Sequence, residues 1–109
     1  MAQFDATTSV VDGRAVVALA GECDLACREE LTAALLAAVD LAPVVVVDLA
    51  ALRFIDSSGI HALVAGHHAA QRQGRRLEVV NAAGVVAHVL DMTGVGDLLA
   101  PPTETDMAA

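Results

Sequence analysis

The sequence predicts a single α/β domain with its elements in the order β-β-α-β-α-β-α. Three observations carry this. Asp12-Gly13 is a hairpin turn signal between two segments of strand composition. Val44 to Val47 is an unbroken β-branched run, the pattern of a central strand. Segments with helical apolar stripes then alternate with strands, which implies a largely parallel or mixed sheet. The chain has 109 residues, 56% hydrophobic and 18% charged, enough for one core and too few for two.

Phe4 to Ser9 is expected as a weak first strand, with Val-rich Arg14 to Ala20 as its partner. Gly21-Glu22-Cys23-Asp24 breaks that strand. Asp24 is placed to cap a helix over Leu25–Leu41, where Leu31, Leu35 and Val39 recur at steps of four. After Pro43, the Val44–Val47 strand is expected to be buried on both faces and to end at Asp48. Leu49 to Asp56 reads as a connection. A second helix is expected over Gly59–Gln73, with Ile60, Leu63, Val64 and His67 as its stripe. Gly74 ends it, and Arg72, Arg75 and Arg76 flank that end, where the helix dipole favours positive charge. Leu77 to Val80 is a short strand. Asn81 is placed to cap a third helix over Ala83–Met92, which Thr93-Gly94 terminates. Val95 to Leu99 suits a last short strand or turn. Residues 1–100 are thus expected to form the domain, and 101–109, opening with Pro101-Pro102, a disordered tail.

Composition excludes several functions. All six basic residues are Arg, against fourteen Asp plus Glu, so the net charge is −8. Without Lys there is no Walker P-loop and no Schiff-base chemistry. The acidity, with no Trp or Tyr and only two Phe, argues against nucleic-acid or anionic-lipid surfaces. The start, Met1 to Asp5, has no basic targeting segment. The longest apolar run, Leu41 to Val47, is far short of the ~20 residues that span a bilayer. The expected compartment is the cytoplasm, and Cys23 and Cys27 are there expected as reduced thiols.

The segment Phe54-Ile55-Asp56-Ser57-Ser58-Gly59-Ile60 sets two serines between an acid and a glycine, at the mouth of a helix. One reading makes Ser57 or Ser58 a helix N-cap. The other makes a serine here a phosphoacceptor. A phosphate at a helix N-terminus gains charge-assisted hydrogen bonds, while Asp56 beside it repels the new charge. Such a site switches a surface without large refolding.

This segment resembles the phosphorylation loop of STAS-domain anti-sigma factor antagonists. Gly21-Glu22-Cys23-Asp24 is similar to the family's Gly-Glu-(Leu or Ile)-Asp, with Cys23 at the apolar position. Asp91-Met92-Thr93-Gly94-Val95 is similar to its late Thr/Ser-Gly segment. The resemblance implies a STAS-type fold, a mixed sheet of four or five strands with helices mainly on one face, and places the phosphoacceptor at Ser57. It makes Asp24, Asp56, Ser57, Ser58, Gly59 and Ile60 the partner-binding surface. It implies a monomer that binds an anti-sigma factor with serine kinase activity, is released on phosphorylation, and is reset by a serine phosphatase. On this reading the chain is no enzyme and needs no cofactor, because the kinase brings ATP and metal. The same resemblance leaves a second function, a non-switching STAS module of a lipid-transport or stressosome-like complex.

Other chemistries fit less well. Asp48 after the valines suggests a receiver-domain phosphoacceptor, but that chemistry needs a lysine. A serine hydrolase would use Ser57 or Ser58, but Ile55 stands where the nucleophile elbow needs glycine. His61, His67, His68 and His88, with Cys23 and Cys27, show no four-ligand zinc spacing, and His67 suits the edge of the core.

Overall fold

The structure is a computed structural model and describes residues 3–101. Strands β1 (Phe4–Val11), β2 (Arg14–Cys23), β3 (Val44–Ile55) and β4 (Arg76–Val80) form one sheet in that order. β1 and β2 are antiparallel. The turn between them takes positive φ at Asp12 (52°) and Gly13 (78°), which matches the twist of a tight hairpin. β2–β3 and β3–β4 are parallel. Each parallel pair needs a crossover, supplied by α1 (Arg28–Leu41) and α2 (Ser57–Arg72). α3 (Gly84–Thr93) and α4 (Val95–Leu98) follow. The Leu99 carbonyl then accepts from the Val79 N–H at 2.9 Å, on the outer edge of β4. The mixed α/β architecture expected from the sequence is the one observed.

The strand registers align one buried face. Ala15, Val45 and Leu77 form one row across the sheet, and Val17, Val47 and Val79 the next. α1 and α2 close this face with Leu31, Leu35, Val39, Ile60, Leu63 and Ala70. α1 and α2 approach closely at Gly66, where a β-carbon would come 3.2 Å from Leu35 Cβ. On the other face, Val16, Val44, Val46 and Asp48 are only partly covered and Ala18 is exposed. β3 is therefore not buried on both faces as its valine run suggested. Glu78 is the one buried charged residue among those described, and it pairs with Arg76 at 3.3 Å.

Four local expectations are corrected. β3 continues through Ile55, where the sequence suggested a connection from Leu49 onward. Irregularities in β2 at Ala18/Ala20 and Gly21/Glu22 let the pairing run on. The Leu25 region is a 3-10 turn, Leu25–Cys27, and α1 starts only at Arg28. Ala83, not Asn81, is the N-cap of α3. Asn81 instead takes φ 63° and donates from its Nδ2 to Asp48 Oδ1 at 3.1 Å. Val95–Leu98 is helical rather than a strand or plain turn. The tail expected at 101–109 lies, beyond Pro101, outside the described residues.

Candidate functional site

The parallel pairing of β2 and β3 sets their C-terminal ends side by side, with Cys23 opposite Ile55. The two loops that follow, at Asp24 and Asp56, are therefore neighbours. In open α/β sheets, ligands bind beyond such strand ends. The loops are joined directly, because the Asp56 N–H donates to the Cys23 carbonyl at 3.1 Å.

Both aspartates act as caps. Asp24 is extended (φ −117°, ψ −164°), and its carboxylate accepts from the Ala26 N–H at 3.0 Å, closing the 3-10 turn. Asp56 is extended in the same way (φ −113°, ψ −170°) and accepts from Ser58 N–H at 2.9 Å and Gly59 N–H at 3.4 Å. Asp56 is thus the N-cap of α2, and neither serine is. The first amides of α2 are already taken by Asp56, since the Ile60 N–H also donates to its carbonyl at 3.1 Å. A phosphate on Ser57 would not inherit those amides and would meet the Asp56 carboxylate instead.

Ser57 is the first residue of α2 and is exposed, and its hydroxyl makes no hydrogen bond among the described residues. Ser58 is half-buried. Gly59 and Ile60 are buried, with Ile60 8% exposed. The residues singled out in the sequence thus divide into an exposed hydroxyl, two capping carboxylates and a buried floor. An open groove between α1 and α2 runs from this loop pair. Leu25, Ala33, Leu36, His61, Ala62 and Ala65 line it, and Leu25 is 72% exposed.

The sequence reading missed one feature. Cys23 and Cys27 form a disulfide, with Cα atoms 5.4 Å apart, where reduced thiols were expected. The 3-10 turn folds Cys27 back onto the end of β2, within the span a disulfide bridges. The signal was the spacing of four across a turn capped by Asp24. Among the other candidates, Arg75, Arg76 and His67 contact neighbours within the fold. Arg75 donates to the Val39 carbonyl, and Arg76 pairs with Glu78. His67 is half-buried, its ring 5.6 Å from that of His68. Burial and then the His68 charge hold its pKa below the ordinary histidine value. Among the described residues, no group of three His, Cys, Asp or Glu side chains is placed to hold a metal ion.

Comparison with known proteins agrees with the fold. Residues 6–100 match the family model described as Mlab, STAS domain. No curated protein matches the sequence. Among solved structures, the chain is similar to an anti-sigma factor antagonist from Mycobacterium paratuberculosis. The identity is 25%, the TM-score 0.80, and the coverage 97% of this chain and 92% of that one. It is similar in fold to Bacillus SpoIIAA in its unphosphorylated form, at 21% identity and TM-score 0.76, covering 95% and 93% of the two chains. A sulfate transporter family protein from Wolinella succinogenes shares the fold at 18% identity and TM-score 0.70, covering 84% and 75%. With the family model spanning nearly all of the described sheet and helices, the chain belongs to the STAS domain family.

Proposed function

We propose that this chain is an anti-sigma factor antagonist switched by phosphorylation of Ser57. One observation carries the reading. Asp56 caps α2, which leaves the Ser57 hydroxyl exposed and free of hydrogen bonds among the described residues. A kinase can reach such a hydroxyl without unfolding the helix. The likeness to the antagonist from Mycobacterium paratuberculosis supports the same reading.

The chain supplies a hydroxyl and a surface, and the partner supplies ATP, metal and catalysis. Unphosphorylated, the protein binds an anti-sigma factor with serine kinase activity through the loops of Asp24 and Asp56 and the residues Ser57 to Ile60. Phosphorylation adds a charge of about −1.5 to −2 beside the Asp56 carboxylate and weakens the complex. A serine phosphatase reverses it. The protein acts as a cytoplasmic monomer and an interaction module rather than an enzyme. Among the described residues, no helix is long and apolar enough to cross a membrane.

The test is phosphorylation by an anti-sigma serine kinase with ATP, mapped by mass spectrometry. Ser57→Ala abolishes the modification and Ser58→Ala keeps it. Equal phosphorylation of Ser57→Ala overturns the assignment. A second reading, a non-switching STAS module of a transport or stressosome-like complex, draws support from the shared fold of the sulfate transporter family protein. Affinity capture separates the two. A small ATP-binding kinase on the bait supports the first, and a transporter component the second.

A further inference from the structure

We infer that Cys23 and Cys27 are a thiol–disulfide couple that sets the conformation of the loop carrying Ser57. The inference rests on the proposed reading only for the cytoplasmic setting and for what that loop does. In a reducing compartment a disulfide is seldom a permanent staple and is more often redox-sensing.

The geometry couples the pair to the loop. Cys23 touches the loop twice. Its carbonyl holds the Asp56 N–H at 3.1 Å, and its sulfur lies against Gly59, where a β-carbon would come within 2.8 Å of Sγ. Asp56 in turn caps α2 through Ser58 and Gly59. Cys27 ends the 3-10 turn that Asp24 caps, so the bridge ties the Asp24 turn to the floor beneath Ser57. On reduction the sulfurs must part from a bond of about 2.05 Å to a contact of roughly 3.5–4 Å. Cys23 is hemmed in by Gly59 and by Ile55. The displacement therefore falls on the exposed Leu25-Ala26 turn and on the first turn of α2.

Both cysteines are buried, and the groove that borders Cys27 singles it out as the sulfur a reagent meets first. Cys23 is fully buried, whereas Cys27, 3% exposed, lines an open groove with Phe4, Glu22, Asp24, Ala26 and Glu30. A thiolate of a small dithiol attacks Cys27 Sγ. The protein S–S bond breaks, and the Cys23 thiolate leaves and takes a proton from water. The second thiolate of the dithiol then attacks its own sulfur in the mixed disulfide and releases Cys27, which is protonated in turn. The dithiol departs as a cyclic disulfide, and two electrons have passed to the protein. Glu22, Asp24 and Glu30 disfavour an anionic reagent at this groove, so an uncharged dithiol reacts faster than an anionic thiol.

The test uses the full-length ¹⁵N-labelled chain, oxidised or treated with dithiothreitol. Mass spectrometry of the intact oxidised chain should show the loss of two hydrogens. Reduction should speed amide exchange at Ser58 and Gly59 by about fivefold or more, while Leu77 and Val79 in β4 stay protected. A chain that forms no disulfide under oxidation overturns the inference. So does a change confined to residues 24–28, or one spread over the whole sheet. A Cys23→Val/Cys27→Ala variant should be insensitive to dithiothreitol, and sensitivity there also overturns it. No kinase enters these measurements. Failure of Ser57 as phosphoacceptor would therefore leave the coupling standing, and loss of the coupling would leave Ser57 phosphorylation intact.

Discussion

The Asp56 N–H donates to the Cys23 carbonyl at 3.1 Å and so fastens the end of β3 to the end of β2. The Asp56 side chain meanwhile caps α2. Asp56→Ala keeps the backbone bond and removes the cap. The expected cost is about 1 kcal/mol, read as a lower urea midpoint. Asp56→Asn keeps an acceptor and should lose less. Equal losses in the two variants would show that the carboxylate does not act as a cap.

Gly59 allows the loop floor to close. A β-carbon there would lie 2.6 Å from Ile55 Cγ1 and 2.8 Å from Cys23 Sγ. Neither neighbour has room to retreat, since both are buried. Gly59→Ala should therefore destabilise by about 1–3 kcal/mol through overpacking. Gly96→Ala is the matched comparison. Its β-carbon would meet Leu90 Cβ at 3.5 Å, an ordinary contact, and stability should change by no more than about 0.5 kcal/mol. Chemical denaturation of both variants decides the matter, and a similar loss in the two would contradict the packing argument.

Gly21 sits where β2 departs from regular pairing. Its φ is 92°, and a β-carbon would collide with the Gln3 carbonyl, which accepts from the Glu22 N–H at 2.9 Å. Gly21→Ala combines backbone strain of about 1–3 kcal/mol with that collision. Gly13→Ala, at φ 78° and with open space around it, carries the strain alone. Gly21→Ala should thus be the more destabilised of the two, with faster hydrogen exchange at Glu22. The reverse order would place the close approach elsewhere.

Much of this fold was legible because its local signals agree with its packing. The Asp12-Gly13 turn marks the hairpin, the leucine stripe of α1 reports its buried face, and the valine run locates β3, although it overstated the burial of that strand's second face. β3 beyond Leu49 was not legible. Its buried residues there are Leu49, Leu52 and Ile55, every third position, because the pairing with β2 is irregular. A strand without period-2 alternation looks like a loop. At the site, the Asp56-Ser57-Ser58-Gly59 motif located the loop, but sequence could not apportion the cap between Asp56 and the serines. That depended on an extended φ and ψ at Asp56. The disulfide escaped because a helix read from Leu25 onward hid the 3-10 turn that folds Cys27 back to Cys23.

His67 gives stability a pH dependence of predictable sign. Burial, and then the charge of neighbouring His68, lower its pKa in the folded state from the ordinary 6.5. Above that value the side chain is neutral in both the folded and the unfolded chain, and it contributes no slope. As pH falls through 6.5 the unfolded chain binds the proton first, so unfolding becomes easier. The loss stops growing once pH drops below the depressed folded value. Stability by urea titration should therefore decline from pH 7 towards pH 5.5, ahead of the range where carboxylates titrate. His67→Gln removes the titrating group and should flatten that decline. An unchanged slope in the variant would assign the effect to another group.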